Sequence, residues 1–193
     1  MNIQVVCGKA DHGKTKFMVD LMNEQRESGK QILFFSYDHS IQDLISYGLN
    51  NPNVQVVSLF FSDLTIRKIK KYLDHFFIDM LIIDTLNSFV EKEKDYDKNE
   101  RYYEQFYWEL NALVKSYELE VYIGKRIPSY AVNNKHQRPT LRDVYNCEQK
   151  GTEVIGLYRE DVWNVSTKQT NTVEIINLKT GEIIEKPFSF HRK

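Results

Sequence analysis

The stretch Ile3-Gln4-Val5-Val6-Cys7-Gly8-Lys9-Ala10-Asp11-His12-Gly13-Lys14-Thr15 decides the fold. Ile3 to Cys7 is a short apolar run that stops at Gly8 and reads as a buried strand. Gly8 to Thr15 fits the pattern G-x-x-x-x-G-K-[ST]. From Lys14 to Glu27, Phe17, Met18, Leu21 and Met22 recur at helical spacing, and Gly29 is placed to close that helix. A strand, a glycine loop and an amphipathic helix in this order form the context the pattern requires. Glycines let the backbone curl so that its N–H groups point inward, and the helix adds its unsatisfied N–H groups and partial positive charge. Such a loop binds phosphate. Gly8, Lys9, Ala10, Asp11, His12, Gly13, Lys14, Thr15 and Lys16 are therefore the expected nucleotide-phosphate contacts. Lys14 is expected on the β- and γ-phosphates, and the Thr15 hydroxyl on Mg²⁺. The plain alternative is a strand-to-helix turn that binds nothing.

Working outward, Gln31 to Ser36, Val54 to Leu59, Asp79 to Asp84, Leu119 to Ile123 and Thr152 to Leu157 read as further strands. Helices are expected after Ser40, after Ser62 or Asp63, and from Tyr103 to Tyr117. Glu91 to Glu100 reads as a charged loop, and Ser129 to Pro139 as a polar one. Asn171 to Leu178 and Glu182 to Ile184, around Lys179-Thr180-Gly181, read as a hairpin, and Phe188 to Phe190 as a further strand. Strands alternating with helices predict an α/β fold: a mostly parallel twisted sheet flanked by helices, with antiparallel strands added by the C-terminal segment. Without a linker or repeat, residues 1–193 read as a single domain.

Composition narrows the classes. The chain has 193 residues, 41% hydrophobic and 27% charged, which excludes wholesale disorder. Its formal charge of −1 argues against a strongly basic nucleic-acid binder. Two distant cysteines, Cys7 and Cys147, make neither a disulfide framework nor a zinc site. No signal peptide and no apolar run of membrane-spanning length is evident, so a soluble cytoplasmic protein is expected. The basic row Arg67, Lys68, Lys70 and Lys71 reads as a solvated helix face. Tyr102, Tyr103, Tyr107 and Trp108 read as core or interface residues rather than base-stacking ones.

Three positions add chemistry. Asp84 ends a strand after four apolar residues, where a carboxylate can hold the Mg²⁺ of a bound nucleotide. Asp38 ends the second strand and can polarise water as a general base, or simply cap the next helix. Lys125 and Arg126 follow the fifth strand, where a cation can touch the γ-phosphate.

These residues carry a resemblance. Phe35-Ser36-Tyr37-Asp38-His39-Ser40 is similar to F-S-L-E-M-S, and Ile82-Ile83-Asp84-Thr85-Leu86 to V-I-D-Y-L. Arg138-Pro139-Thr140-Leu141-Arg142-Asp143, Glu148-Gln149 and Gly156-Leu157-Tyr158-Arg159-Glu160-Asp161 follow R-P-x-L-x-D-L, I-E-Q-D-A-D and L-Y-R-D/E in order. Glu174-Ile175-Ile176 with Lys179 and Gly181 is similar to E-I-I-x-A-K-x-R-x-G. The series resembles the C-terminal, RecA-like motor domain of DnaB-family replicative helicases, in a stand-alone form of phage or mobile-element type, without the N-terminal domain or linker helix.

That resemblance implies a P-loop ATPase acting in replication or recombination on single-stranded DNA, as a homo-oligomeric ring or filament. It implies ATP and Mg²⁺ as cofactors. It assigns catalytic roles to Lys14, Asp38, Asp84, Lys125 and Lys179, and metal binding to Thr15 and Asp84. The chain also departs from the family. Asp38 replaces a glutamate, Gly124-Lys125-Arg126 stands where S-Q-L carries a glutamine, and Gly181 stands where a finger arginine is expected. Tyr145-Asn146-Cys147 shortens the DNA-contacting loop. A second reading is therefore a nucleotide-binding module that hydrolyses poorly and docks on a helicase or other replication protein. A third is a P-loop kinase or transferase.

Overall fold

The computed structural model describes residues 3–59, 64–86, 96–127, 138–144, 153–163 and 172–187. The order is β1 (Ile3–Gly8), α1 (Lys14–Glu24), β2 (Ile32–Ser36), α2 (Ile41–Ser46), β3 (Val54–Ser58), α3 (Ile66–Leu73), β4 (Met80–Asp84), α4 (Tyr96–Tyr117), β5 (Glu120–Arg126), β6 (Glu153–Tyr158), α5 (Glu160–Trp163), β7 (Thr172–Asn177) and β8 (Ile183–Pro187). All eight strands join one sheet in the order β3-β2-β4-β5-β1-β6-β7-β8. The pairings from β3 to β6 are parallel, and β7 and β8 add antiparallel.

β2 and β4 are buried on both faces and β1 and β5 nearly so, which explains their apolar runs, whereas the edge strand β3 is half-buried. The two-residue period divides them. Ile3, Val5, Cys7, Leu33, Phe35, Leu81 and Ile83 pack with Ile69 and Leu73 of α3 and Phe106, Tyr107 and Leu110 of α4. Val6, Ile32, Phe34, Met80 and Ile82 pack on the other face with Met18, Val19 and Met22 of α1 and Leu44 of α2. Loops at the C-terminal ends of β1, β2, β4 and β5 therefore meet at one edge, where ligands bind in open α/β sheets.

Several boundaries differ from the sequence reading. α1 ends at Glu24, and turns carry the chain to Gly29, whose φ of 71° a glycine tolerates. Residues 96–100, expected in a charged loop, begin α4, because mixed-sign residues without glycine or proline suit a helix. Ser40 caps α2 in a reciprocal box with Asp43. Thr65 caps α3 by accepting from the Lys68 N–H; Ser62 and Asp63 lie outside the described residues. β5 runs on to Arg126, so Gly124, Lys125 and Arg126 belong to the strand rather than follow it. The expected strand Phe188 to Phe190, Cys147, and most of the expected loop from Ser129 to Pro139 also lie outside the described residues. Cys7 is buried, and its thiol donates to the Ile155 carbonyl at 3.3 Å.

Phe34 is fully buried at the centre of the α1 face. Phe34→Ala should lower the unfolding free energy by about 3–5 kcal/mol, read from the urea midpoint.

Candidate functional site

The glycine loop leaves β1 and turns into α1 at Gly13, whose φ of 90° and ψ of 19° lie in the left-handed region. Asp11 also sits at positive φ, 61°. The Lys14 ammonium folds back over the loop and donates to the carbonyl oxygens of Gly8 (3.1 Å) and Lys9 (2.8 Å). Burial pushes its pKa below the ordinary lysine value, and Asp84 opposes that shift.

Asp84 comes from β4, two strands from β1, with β5 between them. The Thr15 hydroxyl donates to Asp84 Oδ2 at 2.8 Å. Gly124 of β5 makes this crossing possible. A Cβ at position 124 would stand 2.6 Å from Asp84 Oδ1, and no carboxylate could stay there. Asp84 is buried, and burial raises its pKa; the Thr15 hydrogen bond, then Lys14 and His39, pull it back. Its Oδ1 is buried with no hydrogen-bond partner among the described residues. A buried carboxylate oxygen of this kind suits a cation. Among the described residues no group of three His, Cys, Asp or Glu side chains gathers to hold a metal alone. One hydroxyl, one carboxylate and phosphate oxygens are how Mg²⁺ is usually shared between a protein and a nucleotide, so these residues fit it.

The cleft over this pair is lined by Ala10, Asp11, Gly13, Lys14, Thr15, Lys16, Asp38, His39, Tyr47, Asp84, Thr85 and Arg126. Of the expected nucleotide contacts, Gly8, Lys9 and His12 shape the loop from behind. Gly8 lets β1 approach β6: a Cβ there would meet the Leu157 carbonyl at 3.1 Å. The buried His12 ring lies with Nδ1 3.2 Å from the Leu157 carbonyl, which accepts its proton, and edge-on to Tyr158. Lys16 reaches Asp20 one turn along α1. Asp38 is exposed on the cleft wall.

Lys125 and Arg126 separate by strand alternation. Lys125 is buried on the α4 face, its ammonium 5.2 Å from the centre of the Tyr103 ring, away from the cleft. Arg126 points with Gly124 and lines the cleft, so it takes the place expected of Lys125. Lys179 lies in the β7–β8 turn. Because β7 is antiparallel, that turn sits by the N-terminal end of β6, where the Leu178 N–H meets the Val154 carbonyl, at the far end of the sheet from the loop. Lys179 therefore cannot serve its own chain's cleft. Gly181 in the same turn has a φ of 79°, which an arginine would adopt only with strain.

The remaining motif residues hold the scaffold. Arg138 grips Glu174 through two 2.6 Å bonds and lies 5.3 Å over the Tyr158 ring. Arg159 is buried, paired with Asp161 at 2.7 Å, and donates to the Asp11 carbonyl at 3.4 Å. It braces its own loop rather than reaching towards a neighbour. Glu148 and Gln149 lie outside the described residues. Of the aromatics expected in the core or at an interface, Tyr103 and Tyr107 are buried in the core, while Tyr102 and Trp108 are exposed. His39, Tyr47 and Gly124 are cleft or cradle residues that the sequence reading gave no role. For Gly124, the clue was a glycine in the strand between the two chemical strands.

Two outcomes follow from this geometry. Gly124→Val should displace the Asp84 carboxylate and weaken Mg²⁺-dependent nucleotide binding by about tenfold or more, with circular dichroism unchanged. Burial, opposed by the Leu157 hydrogen bond and reinforced by Lys14, Lys9 and Arg159, lowers the His12 pKa to about 4. An unfolded histidine takes its proton near 6.5. Between those values the unfolded chain holds more protons, so stability falls as pH drops from about 6.5 to 4, by up to about 3 kcal/mol. Urea midpoints across that window should fall less in His12→Gln than in the parent chain.

No protein-family model and no curated protein matches the sequence. Solved structures do match. One is an ATPase domain, with a TM-score of 0.74 at 14% identity over 95% of this chain and 79% of that one. Another is a DnaB-like replicative helicase studied for its interactions with primase, with a TM-score of 0.75 at 14% identity over 95% of this chain and 54% of the helicase. The chain thus spans about half of that helicase. No helix among the described residues is long and apolar enough to cross a membrane. The chain has the RecA-like fold of the ATPase domains of DnaB-like replicative helicases.

Proposed function

We propose that this chain binds ATP with Mg²⁺ at the β1–α1 loop and hydrolyses it as a DnaB/RecA-type ATPase, acting on single-stranded DNA in replication or recombination. The observation that carries the reading is the Thr15 hydroxyl on Asp84 Oδ2, beside the Lys14 ammonium, at the C-terminal edge of the sheet. A fold alone does not give a function, but this constellation has a specific chemical use. Lys14 would leave the Gly8 and Lys9 carbonyls for phosphate oxygens. Thr15 and Asp84 would hold Mg²⁺, which when bound neutralises charge on the phosphates. Asp38, on the cleft wall, would take the proton of the attacking water as the bond between the γ-phosphorus and the bridging oxygen breaks. Arg126 would face the charge that develops there.

The role that the resemblance gives Lys179 would need an assembly, since the β7–β8 turn lies at the far end of the sheet from its own cleft. One observation favours a second reading, a nucleotide-binding module that docks on a replication protein. The hairpin carries Gly181 where the resemblance expects an arginine, and Arg159 is turned into its own fold. An arginine finger is worth roughly 10³ to 10⁵ in rate.

ATP turnover should rise with protein concentration and with added single-stranded DNA. Lys14→Ala should abolish nucleotide binding; Asp38→Asn should keep binding and lose turnover by about a hundredfold or more. Tight binding without turnover under every condition would select the module reading. Unchanged binding in Lys14→Ala would remove the nucleotide assignment.

A further inference from the structure

Three donor atoms converge beside Asp84 Oδ1, which has no hydrogen-bond partner among the described residues. Thr15 Oγ1 lies 2.8 Å from Asp84 Oδ2 and 3.3 Å from His39 Nε2. In an octahedral divalent site with bonds near 2.1 Å, adjacent ligands stand about 3 Å apart. Both spacings have that dimension. The His39 backbone is fixed on both sides: its N–H donates to Ser36 Oγ at 2.9 Å, and its carbonyl accepts from Ser58 Oγ at 3.1 Å. Its ring stands edge-on to Tyr47, 5.5 Å between centres, which limits its rotation.

The Thr15 hydroxyl has one proton and gives it to Asp84. His39 Nε2 is therefore the donor towards Thr15 Oγ1 in this arrangement. The other neutral tautomer, protonated at Nδ1, presents the Nε2 lone pair to the same point. Mg²⁺ prefers an all-oxygen shell and gives up water reluctantly, whereas imidazole suits the first-row transition ions.

We propose that His39 is a nitrogen donor of this cation site and shifts its preference from Mg²⁺ towards Mn²⁺. The inference rests on the nucleotide reading above and assigns the same site a cation choice.

The test uses the full chain with ADP and Mn²⁺, its histidines labelled with ¹⁵N so that adenine nitrogens do not interfere. Pulsed EPR should show a ¹⁵N coupling to Mn²⁺ that disappears in His39→Ala and in His39→Met. In parallel titrations, the ratio of ADP affinity in Mn²⁺ to that in Mg²⁺ should fall about tenfold in both variants. Bound Mn²⁺–ADP without histidine coupling, or an unchanged ratio in both variants, would overturn the role of His39 and leave the nucleotide reading intact. Absence of any Mn²⁺- or Mg²⁺-dependent ADP binding in the parent chain would overturn both.

Discussion

The site depends on one hydrogen bond that spans three strands. Thr15 begins a helix after β1, Asp84 ends β4, and β5 separates their strands. The bond exists because β5 carries no side chain at position 124. Everything that fixes these strands serves this contact: the division of each strand's residues between two cores, the parallel register, and the packing of α1 and α4 on opposite faces. Removing the hydroxyl would leave the buried Asp84 carboxylate without its hydrogen-bond partner, a costly outcome.

A second layer holds the loop itself. Arg159 and His12 each tie it to its own chain, one through the Asp11 carbonyl and the other through the Leu157 carbonyl. Arg138, Tyr158 and Glu174, which are far apart in sequence, meet at the β6–β7 seam. That contact gives a physical reason for the ordered series of short motifs in the C-terminal part of the chain. Much of what looks like chemistry in those motifs holds the β6–β7 seam and braces the β1–α1 loop.

The fold was largely legible from the sequence. Continuous apolar strands before Gly8 and Asp84 and a helical period after Lys14 are local signals, and they place the loop and the acid. Boundaries were less legible. Residues 96–100 join α4 although their charged, mixed-sign composition suits a helix and a solvated loop alike. The distinction between Lys125 and Arg126 was out of reach for a different reason. It depends on where β5 ends, and a strand three residues longer decides which side chain faces the cleft and which faces Tyr103. His39 and Tyr47 join the site only through folding, since nothing in their spacing from Thr15 signals contact.

The central claim is that Thr15 and Asp84 form the cation-dependent half of a nucleotide site. The most direct measurement is calorimetric titration of ADP with and without Mg²⁺, in the parent chain and in Asp84→Asn. The account predicts that Mg²⁺ tightens binding in the parent chain and has no effect in Asp84→Asn, which keeps the size of the side chain but loses its charge. Equal Mg²⁺ enhancement in both proteins, or ADP affinity in the parent chain that ignores Mg²⁺, would contradict it.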